Sequence, residues 1–353
     1  MYKKIISRII FFLWFSPLCF AQAVTIDNEQ VPVEYYRMPD NPLDPSYATY
    51  SAEIEARFGG IATTGYTETN LIDQYLILSG YKKVNREGDI EIEASVGDFN
   101  VFGERRISQR HKNKDKDGKE TTTYTYAIEV KYTLPISFKM VDKKGATLED
   151  EYIYAWTDER TYTTSYYKSI SDVDNHWRSN RTSKMSELQR TMVRDGFIKM
   201  YDIINNRYGY RLMKENVKFE MIGKKKHPKY AEYEKAVATI KSAFAMMRAD
   251  KGLEEIKNKI KPALAFYNAE GIAIRPKTKD DTKLKHLNLY NQALAYYWVE
   301  DFDQATQFAN EILKFSGKDK DAKKLLEDID YARASLERAN KPSRHGTMLG
   351  GKA

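Results

Sequence analysis

Beyond position 19 the chain contains no cysteine. Everything downstream therefore lacks a disulfide framework, a thiolate nucleophile and any cysteine-held metal. Cys19 itself follows Pro17 and Leu18 rather than the small residues that precede a lipid-attachment cysteine, so lipidation is not expected. Long apolar runs are equally scarce. Residues 9–20 form one, but a membrane span needs about 20 residues, and no later segment approaches that length. No transmembrane segment is expected in the mature chain.

Catalytic signatures are also missing. His111, His176, His227, His286 and His345 never fall at HxxxH or HExxH spacing, so no helix face offers two imidazoles to a metal. There is no glycine-rich strand-to-helix loop, no GxSxG elbow and no carboxylate pair set for acid–base work. The group Asp172, Asp174, His176 and Trp177 reads as turn chemistry. The expectation is a non-enzymatic protein with no catalytic residue, no metal and no cofactor. Charge of one sign is weak too. The 353 residues carry 57 Lys and Arg against 50 Asp and Glu, a formal +7. Without Lys3, Lys4 and Arg8 the balance is 54 to 50, or +4, which is too small and dispersed an excess to point to nucleic acid.

What is present begins with a leader. Residues 1–8 carry positive charge, 9–20 are apolar, and Ala21-Gln22-Ala23 has the small-x-small form of a signal-peptidase site. Residues 1–23 are therefore expected to be a signal peptide cleaved after Ala23, with export to the periplasm or cell envelope of a bacterium. Residues 24–49, punctuated by Pro32, Pro39, Pro42 and Pro45, predict an extended arm on the surface.

Residues 50–222 predict an α+β domain with a mixed or antiparallel sheet and two helices. Tyr50, Ala52, Ile54, Ala56 and Phe58 alternate with Ser51, Glu53, Glu55 and Arg57, the pattern of a half-buried strand. Alternation returns in 90–102, 124–140, 148–156 and 217–221, with a hairpin across 124–156. Tyr152, Tyr154 and Trp156 are expected on one face. Helices are predicted near 69–78 and 186–207, the second capped by Ser186, and 157–182 reads as a long polar loop. Within the polar insert 111–120, Asn113, Asp115, Asp117 and Gly118 fit the opening of a calcium loop. The closing glutamate position holds Tyr124, so a hairpin loop is the better reading. Residues 223–229 read as a basic linker, 230–340 as a helical domain and 341–353 as a disordered tail. The five predicted helices cover 230–248, 253–267, 284–298, 302–315 and 322–339.

Residues 289–312 carry a resemblance. Leu289, Ala293, Tyr296, Phe302 and Ala305 match the large, small, Tyr, aromatic, Ala order of a tetratricopeptide repeat, a helix–turn–helix unit of about 34 residues. Glu300 stands where the family places its turn glycine, and Gly317 where it places the closing proline. The resemblance implies a binding scaffold that grips a partner protein, expected in the envelope, in a groove along the first helix. It places Tyr290, Asn291, Tyr297 and Gln307 as contact positions, and peripheral association with the envelope fits the same reading. The alternative is a carbohydrate- or peptidoglycan-binding module using the aromatic cluster within 152–167, in particular Tyr154, Trp156, Tyr162 and Tyr166.

Overall fold

The computed structural model describes residues 24–348, except Asp115 and the side chain of Phe58. The expected leader lies outside the described residues. The protein is mixed α+β, with a strand-rich N-terminal part and an all-helical part after it. In chain order the main elements are β1 (Ile26–Arg37), β2 (Thr49–Ala56), α1 (Phe58–Ile61), α2 (Glu68–Tyr75), β3 (Lys82–Lys83), β4 (Ile90–Val96), β5 (Asn100–Lys114) and β6 (Glu120–Thr133). They continue with β7 (Ile136–Asp142), β8 (Thr147–Tyr154), β9 (Arg160–Thr163), α3 (Ile170–Arg207) and β10 (Arg211–Ile222). The last five are α4 (Tyr230–Phe244), α5 (Glu254–Ala273), α6 (Lys279–Trp298), α7 (Phe302–Phe315) and α8 (Lys320–Arg338).

The chain divides into two compact units, each assembled from separated segments. Among the described residues, unit 1 takes 24–31, 216–245 and 256–326, and unit 2 takes 32–215, 246–255 and 327–348. Residues 223–229, expected to separate two domains, lie inside unit 1. A basic run is solvated whether it links domains or crosses one, so composition alone does not distinguish the two.

Unit 2 is built on a five-stranded mixed sheet in the order β3-β2-β4-β7-β8. β2 and β4 are parallel, joined through α1 and α2, whereas β4, β7 and β8 run antiparallel in turn. Period-two patterning fixes the inner face: Ile90, Ile92, Ala94 and Val96 of β4 are buried, as are Ile136, Phe138 and Met140 of β7. α3 lies on that face through Met192, Val193, Phe197 and Met200, all at most 1% exposed. The approach is close at Gly196, where an added Cβ would come within 2.7 Å of Ile136 Cδ1 and 3.2 Å of the Tyr154 ring.

Three expectations for this part are corrected. Residues 24–49 are not a surface arm: β1 pairs with β10, and Val31, Val33 and Tyr36 are buried. Residues 170–182 are not loop but the first turns of α3, capped at Ser169, whose side chain accepts from Asp172 N, rather than at Ser186. Residues 341–348 of the expected tail are packed rather than free, with Arg344 and His345 only 4% and 6% exposed, and 349–353 lie outside the described residues. Polar tail residues buried by backbone pairing leave no apolar period to read.

Within unit 1, α6 and α7 form the helical hairpin expected for 289–312. Ala293, Ala305, Ala309 and Ile312 are fully buried, and Tyr296 stacks on Phe308 at 5.6 Å and 4°. α4 meets α5 through Tyr233, edge-on to Phe266 at 5.0 Å. Among the described residues no helix is long and apolar enough to cross a membrane.

Candidate functional site

Two surfaces of unit 2 stand out, and neither belongs to its core. The first is the β5–β6 hairpin. Its base is anchored: Ile128 and Val130 of β6 pack with Val173 and Trp177 of α3. Trp177 Nε1 donates to Glu104 at 2.9 Å, and Arg181 grips the same carboxylate at 2.5 Å. The Arg181 hydrogen bond holds the Glu104 carboxyl below its ordinary range; partial burial opposes this, and Trp177 reinforces it. Arg106 pairs with Asp174 at 2.7 Å. Asp174 is thereby engaged in anchoring, and Asp172 lies in the first turn of α3, its backbone N donating to the Ser169 side chain.

Beyond Tyr126, where the bridge to Tyr167 ends lateral support, the hairpin projects as a free ribbon. From residue 108 to residue 124 every described residue but His111 is exposed. The register fixes what each face carries. Arg110 lies opposite Tyr124, Lys112 opposite Thr122 and Lys114 opposite Glu120, all on one face. Gln109, His111 and Asn113 lie opposite Thr125, Thr123 and Thr121 on the other. The threonines favour extended backbone, and His111 Nε2 meets Thr125 Oγ1 at 2.9 Å. The calcium-loop lookalike forms the turn of this hairpin, although Asp115 lies outside the described residues. Lys114 pairs with Glu120 at 3.5 Å.

The second surface is the outer face of the five-stranded sheet. Glu53, Glu93, Lys139 and Asp150 form one row across β2, β4, β7 and β8. Ser51, Glu91, Val141 and Thr147 form the row on one side, and Glu55, Ser95, Ser137 and Tyr152 that on the other. Glu53, Glu55, Glu91 and Glu93 are all exposed. Segment 85–87 rises beside this face and walls a depression of about 380 Å³ lined by Glu53, Glu87, Glu91 and Glu93, with Arg86 and Lys139 as its cations.

The expected contact residues are dispersed by the structure. Asn291 is fully buried in unit 1, where its side chain accepts from Glu220 N at 2.9 Å and donates to Glu220 O at 2.7 Å. It completes the backbone pairing of β10 and is closed to a groove ligand, which corrects its expected role. Tyr290 is half-buried and stacks on His286 at 5.6 Å, and Tyr297 lies edge-on to Trp298 at 5.0 Å. Gln307 is exposed on α7.

The aromatic set is likewise divided. Tyr154 is 3% exposed, between Arg160 and Lys199, and Tyr162 stacks on Trp177 at 6.3 Å. Trp156 and Tyr166 are exposed. The expected shared face fails because β8 is bulged: Ile136 pairs with Tyr154 and Ser137 with Tyr152, leaving Ile153 as the extra residue. A bulge reverses the alternation, so Tyr152 is 65% exposed on the outer face while Tyr154 turns inward. The two charged surfaces were missed although their signal is in the sequence. Cations alternate at 110, 112 and 114, and carboxylates at 53 and 55 and at 91 and 93.

No family model matches the chain, and no curated protein matches it. A solved structure described as a neuraminyllactose-binding hemagglutinin homolog from Helicobacter pylori is 8% identical, covering 48% of this chain and 96% of that one, with a TM-score of 0.21. At that score the likeness carries no argument about fold or ligand.

Proposed function

We propose that this protein is an exported, non-enzymatic scaffold of the bacterial cell envelope that docks partner protein through the projecting β5–β6 arm. The observation that supports it is the arm itself. Fixing a backbone residue costs about 1–2 kcal/mol, and cross-strand hydrogen bonds return a net of about 0.5–1.5 kcal/mol each. A ribbon that buries no core is marginal alone. Such an element adds little to the stability of unit 2, and its Arg110, Lys112 and Tyr124 lie open for contact. The leader-like 1–23 supports export, and the tetratricopeptide-like α6–α7 hairpin agrees with a protein-binding role. With Asn291 inside the fold, the arm replaces the helical groove as the docking element.

The test shortens the arm by joining Ser108 to Tyr126, which keeps their pairing, through an Asn-Gly turn. The expected result is an unfolding free energy within about 0.5 kcal/mol of the parent, together with loss of the protein crosslinks formed in the native envelope. A shortened protein that keeps every crosslink overturns the reading.

A further inference from the structure

We infer that the arm of one molecule docks on the outer sheet face of a second copy of this chain. This deepens the scaffold reading and rests on it. The two surfaces are oppositely charged and built on the same repeat. Along a strand, side chains on one face recur every ~6.8 Å, and neighbouring strands lie ~4.8 Å apart. Arg110 and Lys112 therefore present cations at the interval at which Glu53 and Glu55, or Glu91 and Glu93, present carboxylates.

Both partners of this match are left unsatisfied within their own molecule. Arg110 and Lys112 are exposed, as are the four glutamates, and among the described residues none of the six makes an ion pair. Glu53 lies directly opposite Glu93, and like charges opposite one another destabilise a sheet. Lys139, next in that row, is itself followed by Asp150, and the depression beside it sets Arg86 and Lys139 against Glu53, Glu87, Glu91 and Glu93, so carboxylates outnumber cations on this face. A cation from outside relieves that repulsion. Tyr124 shares the face of Arg110 and is 47% exposed, which gives the contact an apolar anchor of the kind that dominates interfaces. Arm and sheet are different surfaces, so the contact is head-to-tail and propagates into a chain or closes into a ring.

Sedimentation velocity of the full exported chain at low and high salt reads the association. Charge pairing at this exposure weakens with salt, so association at low salt that fades at high salt is expected. Arg110→Glu with Lys112→Glu, or Glu91→Lys with Glu93→Lys, is expected to weaken it about tenfold or more. The quadruple variant regains association, because both signs are exchanged together. A monomer at every concentration and salt, or association that the reversals leave unchanged, overturns the inference. A photo-crosslinker at Thr122 in the native envelope separates this failure from that of the scaffold reading. Crosslinks to the protein itself support self-docking. Crosslinks to other proteins alone sink self-docking and leave the scaffold reading standing, and the absence of any crosslink sinks both.

Discussion

His286 is held between two carboxylates in unit 1, and that placement makes its charge part of the fold. Nδ1 lies 3.1 Å from Glu220 Oε2, and Nε2 lies 3.1 Å from Asp319 Oδ2, an ion-pair contact outside the angular range of a hydrogen bond. Tyr290 covers the ring, and Asp319 also caps α8 by accepting from Ala322 N. Burial pushes the imidazole toward its neutral form, but the hydrogen bond and charge of Glu220, followed by Asp319, outweigh it and raise its pKa. The folded state thus binds the proton more tightly than the unfolded chain does. The resulting stabilisation is complete below the unfolded value of about 6.5 and is lost as pH rises through the folded pKa. Urea unfolding of the wild type and His286→Gln across pH is therefore expected to show a stability gap that narrows as pH rises above neutrality. A gap that is constant or widens would mean that the ring is neutral in the fold.

Helix ends show how much of an element can be read from residue types alone. At the C-terminus of α6, Asp301 N donates to Tyr296 O at 2.9 Å and Glu300 N to Tyr297 O at 3.1 Å, the paired bonds of a Schellman motif. The motif needs a left-handed residue, and Glu300 takes it at φ 62°. The α6–α7 turn therefore keeps its geometry without the glycine that the tetratricopeptide pattern puts there. A side chain in that region costs about 1–2 kcal/mol, part of which glycine gives back through its freedom in the unfolded chain. Glu300→Gly is expected to stabilise the protein by about 0.5–1 kcal/mol on those terms, and Glu300→Ala to give no gain, as measured by thermal unfolding.

The other elements divide along the same physical line. Strands such as β4, with Ile90, Ile92, Ala94 and Val96 facing inward, and helices such as α7, with Ala305, Ala309 and Ile312, are legible because one buried face imposes a period. The first turns of α3 are not legible. They bury only Val173 and Trp177, and the remaining support comes from Glu104 and Arg106, distant in sequence. The candidate surfaces were legible as alternation but not as a site, since exposed charge on a strand looks the same whether it meets water or a partner. The bulge at Ile153 has no local sequence mark, and it alone parts Tyr152 from Tyr154.

At the scale of the molecule, the order of segments decides what can fold alone. Unit 2 draws on residues 246–255 and 327–348 as well as 32–215, and its contacts show why. Glu34 is 9% exposed and meets Lys214 at 3.1 Å, Arg248 at 3.4 Å and the Ala249 amide at 3.1 Å. Burial raises the pKa of this carboxyl, yet the Ala249 amide and the two cations bring it below its ordinary value. The C-terminal segment closes over the same strand: Tyr36 N donates to Arg344 O at 2.9 Å, His345 Nε2 reaches Glu34 O at 2.9 Å, and Gly346 N donates to Ala249 O at 2.7 Å. A fragment of residues 24–222, cut where the basic run invites it, would keep Glu34 and lose Arg248, Ala249 and the closing segment. Each buried polar group left without its partner costs about 1–3 kcal/mol, and total stabilities are only about 5–15 kcal/mol. That fragment is therefore expected to show raised amide exchange at 34–36 and a shallower unfolding transition, while co-expression with 223–353 restores both. If 24–222 alone matches the full chain in exchange and cooperativity, the returning segments are ornaments on an N-terminal domain that folds without them.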